Sequence, residues 1–226
     1  MLKPIAPVTV LAAVAAGLAA VIAVAPPASA LTNGGFETGN FSGWHVDGNI
    51  NAGVVTSFFH NGLGVGTTRT YLPVEGKFFA ELDGKVPMQL LGLSQTLFLS
   101  KGATLSGAAA FATDDFPPFG DFGQVTIGQG GAGTTLFFSN IAMVGAFGST
   151  PWTAFSFTAP SAGVYTLRAQ EFEGDSDAEL TSQLLLDAVA VAGGVPELGS
   201  WAMMIIGFTL AVLRLRRRNR ALGAAV

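Results

Sequence analysis

The chain of 226 residues contains no cysteine, which excludes disulfides, zinc-thiolate centres and cysteine nucleophiles. Histidine is almost as scarce. His45 and His60 are the only two, and neither sits in a metal-ligand or triad-like spacing. No serine lies in a Gly-x-Ser-x-Gly elbow, and no glycine-rich phosphate loop joins a strand to a helix. Gly128, Gly130, Gly131 and Gly133 instead separate two strand-like runs, as a hairpin turn does. Charge is also sparse: 11 basic against 15 acidic residues give a net charge of −4. Between residues 31 and 194 the basic residues are Arg69, Lys77, Lys85, Lys101 and Arg168 against fourteen acids, a balance of −9. Such a segment repels phosphate backbones, so nucleic acid is not an expected partner.

What the chain has in quantity is apolar sequence at both ends. Near the N-terminus Lys3 precedes an almost wholly apolar run from Val8 to Val24, then Pro26, Pro27 and the small residues Ala28, Ser29 and Ala30. This order predicts a signal peptide over 1–30, cleaved after Ala30; the run is also long enough for an uncleaved anchor. Near the C-terminus Pro196 and Glu197 precede Trp201-Ala202-Met203-Met204-Ile205-Ile206-Gly207-Phe208, which continues apolar to Leu213, and then come Arg214, Arg216, Arg217, Arg218 and Arg220. A helix over 201–213 spans about 20 Å, short of a roughly 30 Å hydrocarbon core, so it crosses only where the bilayer thins or where Leu215 joins the span while the arginine stems snorkel, and retention by it should be weak. The arginines place the extreme C-terminus in the cytoplasm and the rest outside. The alternative, a helix closing a globular domain, would require a polar face, and residues 201–213 are apolar nearly all round.

Pro196, Glu197, Trp201, the apolar run and the arginine cluster resemble the PEP-CTERM sorting signal. The Trp-Ala-Met-Met-Ile run followed by Gly-Phe is similar to the variant common in exopolysaccharide-producing proteobacteria. The resemblance implies recognition by an exosortase, cleavage near Pro196-Glu197, transient anchoring in the inner membrane of a Gram-negative bacterium and delivery to the cell surface or beyond. Leu198 stands where the motif has a second proline. The domains expected are therefore 1–30 as signal peptide, 31–194 as exported body and 195–226 as sorting segment with a transmembrane helix.

The body alternates short Val-, Phe-, Thr- and Leu-rich runs with Gly, Pro, Asp and Ser. Nine strands are expected, at 53–59, 77–82, 94–99, 107–112, 124–127, 134–138, 152–157, 165–169 and 182–191. No amphipathic helical stretch competes with them, and the fold expected is an all-β, two-sheet antiparallel jelly-roll sandwich. Asn33-Gly34-Gly35-Phe36-Glu37-Thr38-Gly39, followed by Phe41 to Trp44, resembles the opening strand of galactose-binding-like jelly rolls, the architecture of many carbohydrate-binding modules. Leu184 to Val191 is similar to their closing strand. The resemblance implies neighbouring first and last strands, and Glu37 and Asp187 as ligands of a structural calcium ion. The alternative is that the two acids are solvated or act as hydrogen-bonding groups that pin a turn.

Acid pairs occur at Asp114-Asp115, at Glu171 with Glu173 and at Asp175 with Asp177. Adjacent strand residues face opposite ways, whereas Glu171 and Glu173 face the same way. The surrounding Gly, Asp and Ser residues suggest solvated loops rather than the paired carboxylates of a glycosidase. Sugar rings commonly stack on exposed aromatic groups, for which Trp44, Tyr71, Phe116, Phe119, Phe122 and Trp152 are candidates. Most of the eighteen phenylalanines must be buried, and Trp44 and Trp152 at strand starts read as core. Phe116, Phe119 and Phe122, spread along a proline-rich loop, form the candidate ligand platform. Three readings follow: a non-enzymatic, exosortase-sorted surface or matrix protein associated with exopolysaccharide; a dedicated carbohydrate-binding module; and, third, a glycoside hydrolase or lyase.

Overall fold

The computed structural model describes residues 30–47, 51–84, 87–130, 132–174, 180–193 and 206–207. The signal helix expected within 1–30, the sorting residues Pro196, Glu197 and Trp201, the expected transmembrane helix and Arg214, Arg216, Arg217, Arg218 and Arg220 lie outside them. Among the described residues no helix is long and apolar enough to cross a membrane.

Among the described residues twelve strands form two five-stranded sheets and a hairpin. The first sheet orders β1 (His45–Asp47), β6 (Leu90–Leu99), β11 (Gly163–Phe172), β8 (Phe122–Gln129) and β9 (Ala132–Asn140). The second orders β10 (Thr153–Thr158), β7 (Ala103–Thr113), β12 (Ser182–Gly193), β5 (Phe79–Asp83) and β2 (Asn51–Val55). All the pairings are antiparallel, and the architecture is the expected jelly-roll sandwich. Period-two burial explains it: β8 alternates half-buried and buried residues, and Val125 and Ile127 from its inner face meet Leu93, Leu97, Leu167, Phe111 and Leu184 between the sheets.

The run 53–59 divides into β2 and β3 (Phe58–His60), which pairs with β4 (Arg69–Tyr71). This hairpin helps cover the outer face of the second sheet, where Tyr71, Phe79, Ala110 and Leu185 form a separate cluster with Val55, Phe58 and Trp152. Ala108, Ala110 and Ala112 on β7 are buried, and side chains this small allow such a layer to come close. Trp44 is core, stacked on Phe36 at 5.3 Å. A single helical turn, α1 (Ile141–Val144), follows β9.

The expected opening strand is a series of turns. Asn33 and Phe36 have φ of 52° and 58°, and Phe36 N–H and Gly39 N–H bond back to Asn33 and Phe36 carbonyls at 3.2 and 2.9 Å. Left-handed residues break the alternation a strand needs. The first and last segments are nonetheless neighbours, because Val189 N–H donates to the Gly34 carbonyl at 3.1 Å. That bond uses a bulge in β12, where the register against β7 shifts between Asp187 and Ala190 and Ala188 takes φ of 54°.

Candidate functional site

The strand register writes the outer face of the first sheet as rows. One row reads Leu90, Phe172, Phe122, Asn140 across β6, β11, β8 and β9; the next reads Asp47, Gly92, Gln170, Gln124, Phe138; the third reads His45, Ser94, Arg168, Thr126, Thr135. Phe122 stacks on Phe172 with centroids 5.1 Å apart and packs against Phe138 at 5.6 Å. Phe138 and Leu90 are exposed, while Phe122 and Phe172 are half-buried. The result is an apolar ridge over three strands beside a polar band. In that band Asp47 lies 3.2 Å from His45 and 3.9 Å from Arg168, while the Gln124 amide approaches the Gln170 carbonyl at 3.5 Å.

Of the expected platform, only Phe122 belongs to this ridge. Phe116 and Phe119 pack edge to face at 5.2 Å in the loop after β7, and Phe116 also meets Phe147 at 5.8 Å. Phe138, Phe172 and the two glutamines were not distinguishable as a site in the sequence, because only the pairing of β8 with both β9 and β11 assembles them.

Beneath the ridge the strands turn acids inward. Asp121 precedes Phe122 and Glu171 and Glu173 flank Phe172; these three acids and Asp115 are completely buried. The expectation of solvated loops is corrected for Asp115, Glu171 and Glu173. The inward direction of Glu171 and Glu173 continues the buried series Tyr165, Leu167, Ala169 along β11, a parity that could have revealed them. Carboxylate oxygens of Asp115, Asp121 and Glu173 lie within 4.8 Å of one another. Asp121 accepts from Ser182 Oγ at 2.6 Å and Gly174 N–H at 2.9 Å, Asp115 from Phe116 N–H at 2.7 Å, and Glu173 from Ser182 N–H at 3.3 Å. Neither oxygen of Glu171 has a hydrogen-bond partner among the described residues. Its carboxyl fills the space beside Gly84, where an added Cβ would fall 2.0 Å from Oε2. Burial pushes the Glu171 carboxyl up to about 10, reinforced by the charges of Glu173, Asp121 and Asp83.

Glu37 and Asp187 meet a different segment. Glu37 accepts N–H bonds from Lys77 at 2.9 and 3.0 Å and from Phe78 at 3.0 Å. Asp187 Oδ2 accepts from Val74 at 2.6 Å and Glu75 at 3.3 Å, and its Oδ1 from Ala188 at 2.6 Å. Burial raises the Asp187 carboxyl to about 6 against the lowering effect of those N–H groups. Together the acids clamp both ends of the 74–78 loop, with the Glu37 carboxyl against Gly76, whose φ is 63°. Every carboxylate oxygen of the pair accepts at least one N–H group, which is the turn-pinning role the sequence offered as the alternative to a calcium site. His60 is buried, its Nε2 3.1 Å from the Phe147 carbonyl and its Nδ1 3.3 Å from Asp114.

No family model and no curated protein matches the chain. Solved structures similar to it include carbohydrate-binding modules. TmCBM61 in complex with β-1,4-galactotriose is 17% identical with a TM-score of 0.44, covering 72% of this chain and 96% of that one. The C-terminal family 22 carbohydrate-binding module of Clostridium thermocellum Xyn10B is 13% identical with a TM-score of 0.40, covering 76% and 99%. A family 16 carbohydrate-binding module is 16% identical with a TM-score of 0.39, covering 73% and 100%.

Proposed function

We propose that the chain is an exported, non-enzymatic polysaccharide-binding protein whose ligand lies across the outer face of its first sheet. The observation that carries this is the Phe172, Phe122, Phe138 ridge beside the Gln124, Gln170, Arg168 and Asp47 band. Apolar C–H faces of a sugar favour aromatic surface, while amides, a guanidinium and a carboxylate match its hydroxyls. An acidic chain suits a neutral glycan better than a polyanion. Turnover is disfavoured because the grouped carboxylates point between the sheets, away from a chain lying on the ridge, whereas glycosidases set two carboxyls across one accessible bond.

The test is saturable binding of the full-length chain to a panel of neutral polysaccharides, followed by isothermal titration with the best ligand. Phe138→Ala, at an exposed ring, and Gln124→Ala, at a half-buried amide of the outer face, are expected to weaken binding about 10- to 100-fold, as loss of one stacking ring or one oriented amide does. Phe116→Ala should leave it unchanged. Equal affinity in all the variants, or release of reducing ends by the wild type, overturns the reading.

Sorting completes the proposal: the Pro196, Glu197 and Trp201 pattern and the basic tail deliver the sandwich through an exosortase to an exopolysaccharide-rich surface. Intact-mass analysis of the surface form should show a chain beginning at Leu31 and lacking residues 214–226. A surface form that keeps those residues rejects processing near Pro196.

A further inference from the structure

We propose that Asp115, Asp121 and Glu173 form a site for one divalent cation of calcium type, at the end of the sandwich beneath Phe122 and Phe172. This site is independent of the glycan reading and distinct from the Glu37 and Asp187 clamp. Three carboxylate oxygens within 4.8 Å of one another match the separation set by metal-oxygen distances of about 2.3–2.6 Å around a single ion. The second observation is Glu171. Its carboxyl is completely buried, neither oxygen has a hydrogen-bond partner among the described residues, and it sits against Gly84, whose N–H donates to the carbonyl of Ser182, the residue whose hydroxyl donates to Asp121. A buried carboxyl left without donors is costly, and a cation beside it supplies the missing partner.

The donor chemistry selects the ion. Every candidate ligand is oxygen, with neither sulfur nor imidazole in the group, which favours a hard cation. The Ser182 and Thr113 hydroxyls, 2.9 Å apart and joined to Asp121 through Ser182 Oγ, offer further oxygens. Complete burial leaves little space for the water shell that magnesium retains, so calcium fits better. The ligands come from the loop after β7, the residue before β8 and the residue after β11, so one ion would tie together segments leading from both sheets.

The experiment titrates calcium chloride into the full-length chain in mild detergent after chelator treatment, by calorimetry and by thermal melting. One equivalent should bind, and the midpoint should rise by roughly 5–10 °C at calcium a hundredfold above Kd. Asp121→Asn combined with Glu173→Gln should abolish both effects, whereas Glu37→Gln should keep them. Should the double variant fail to fold, anomalous density from a terbium-soaked crystal locates the ion directly. No binding at millimolar calcium, binding that survives the double variant, or terbium density elsewhere overturns the proposal.

Discussion

In chelator, Glu171→Gln is expected to stabilise the protein at pH 7 by roughly 2–4 kcal/mol and to flatten its pH profile between pH 5 and pH 9. The folded carboxyl titrates at about 10 against 4.5 for the ordinary value, because it is buried next to Glu173, Asp121 and Asp83. Between those two values the folded state holds a proton that the unfolded state has released. The stabilisation is therefore complete below pH 4.5 and is lost steadily as pH rises towards 10. Glutamine is neutral in both states and keeps the shape of the protonated acid. Its amide can also donate to the neighbouring carboxylates, so the substitution removes the pH penalty without opening a cavity. Urea unfolding at several pH values measures this. Parallel wild-type and variant curves, or a variant weaker at every pH, would contradict it.

The fold was legible because alternation was strong where strands are long. In β8 and β11 the inward residues Val125, Ile127, Leu167 and Ala169 are apolar and their neighbours polar, so both strands and their faces could be read directly. Short strands carry too few residues for a period to appear, so β1 and β4 were not anticipated and β2 and β3 merged into one run. The site was less legible for a different reason. Phe122 was visible as a candidate, but Phe138 and Phe172 are 16 and 50 residues further along and reach it only through pairing register. The acids near Glu171 misled through composition, because glycines and aspartates beside them suggest solvent. Strand parity, carried two residues beyond Ala169 and then two more, points inward instead, and parity prevailed because the sheet continues to Phe172.

Asp187→Ala is expected to cost about 1–2 kcal/mol at pH 7, and roughly 2 kcal/mol more near pH 4. The carboxyl accepts from the N–H groups of Val74, Glu75 and Ala188, and alanine leaves all three without that acceptor. The pH term has a definite sign. Folded Asp187 titrates at about 6 against an ordinary 3.8, so the wild type gains stability as pH falls through that window, while alanine has nothing to titrate. A gap that narrows on acidification would refute the burial argument. Glu37→Ala should cost less, because its bonds to Lys77 and Phe78 lie in an exposed segment. The two acids hold opposite ends of one loop, so their effects should not add. Once Asp187 is gone the loop is already loosened, and removing Glu37 from that variant should cost almost nothing. Strict additivity to within about 0.5 kcal/mol would show that each acid stabilises its own neighbourhood and that the 74–78 loop is not a single clamped unit.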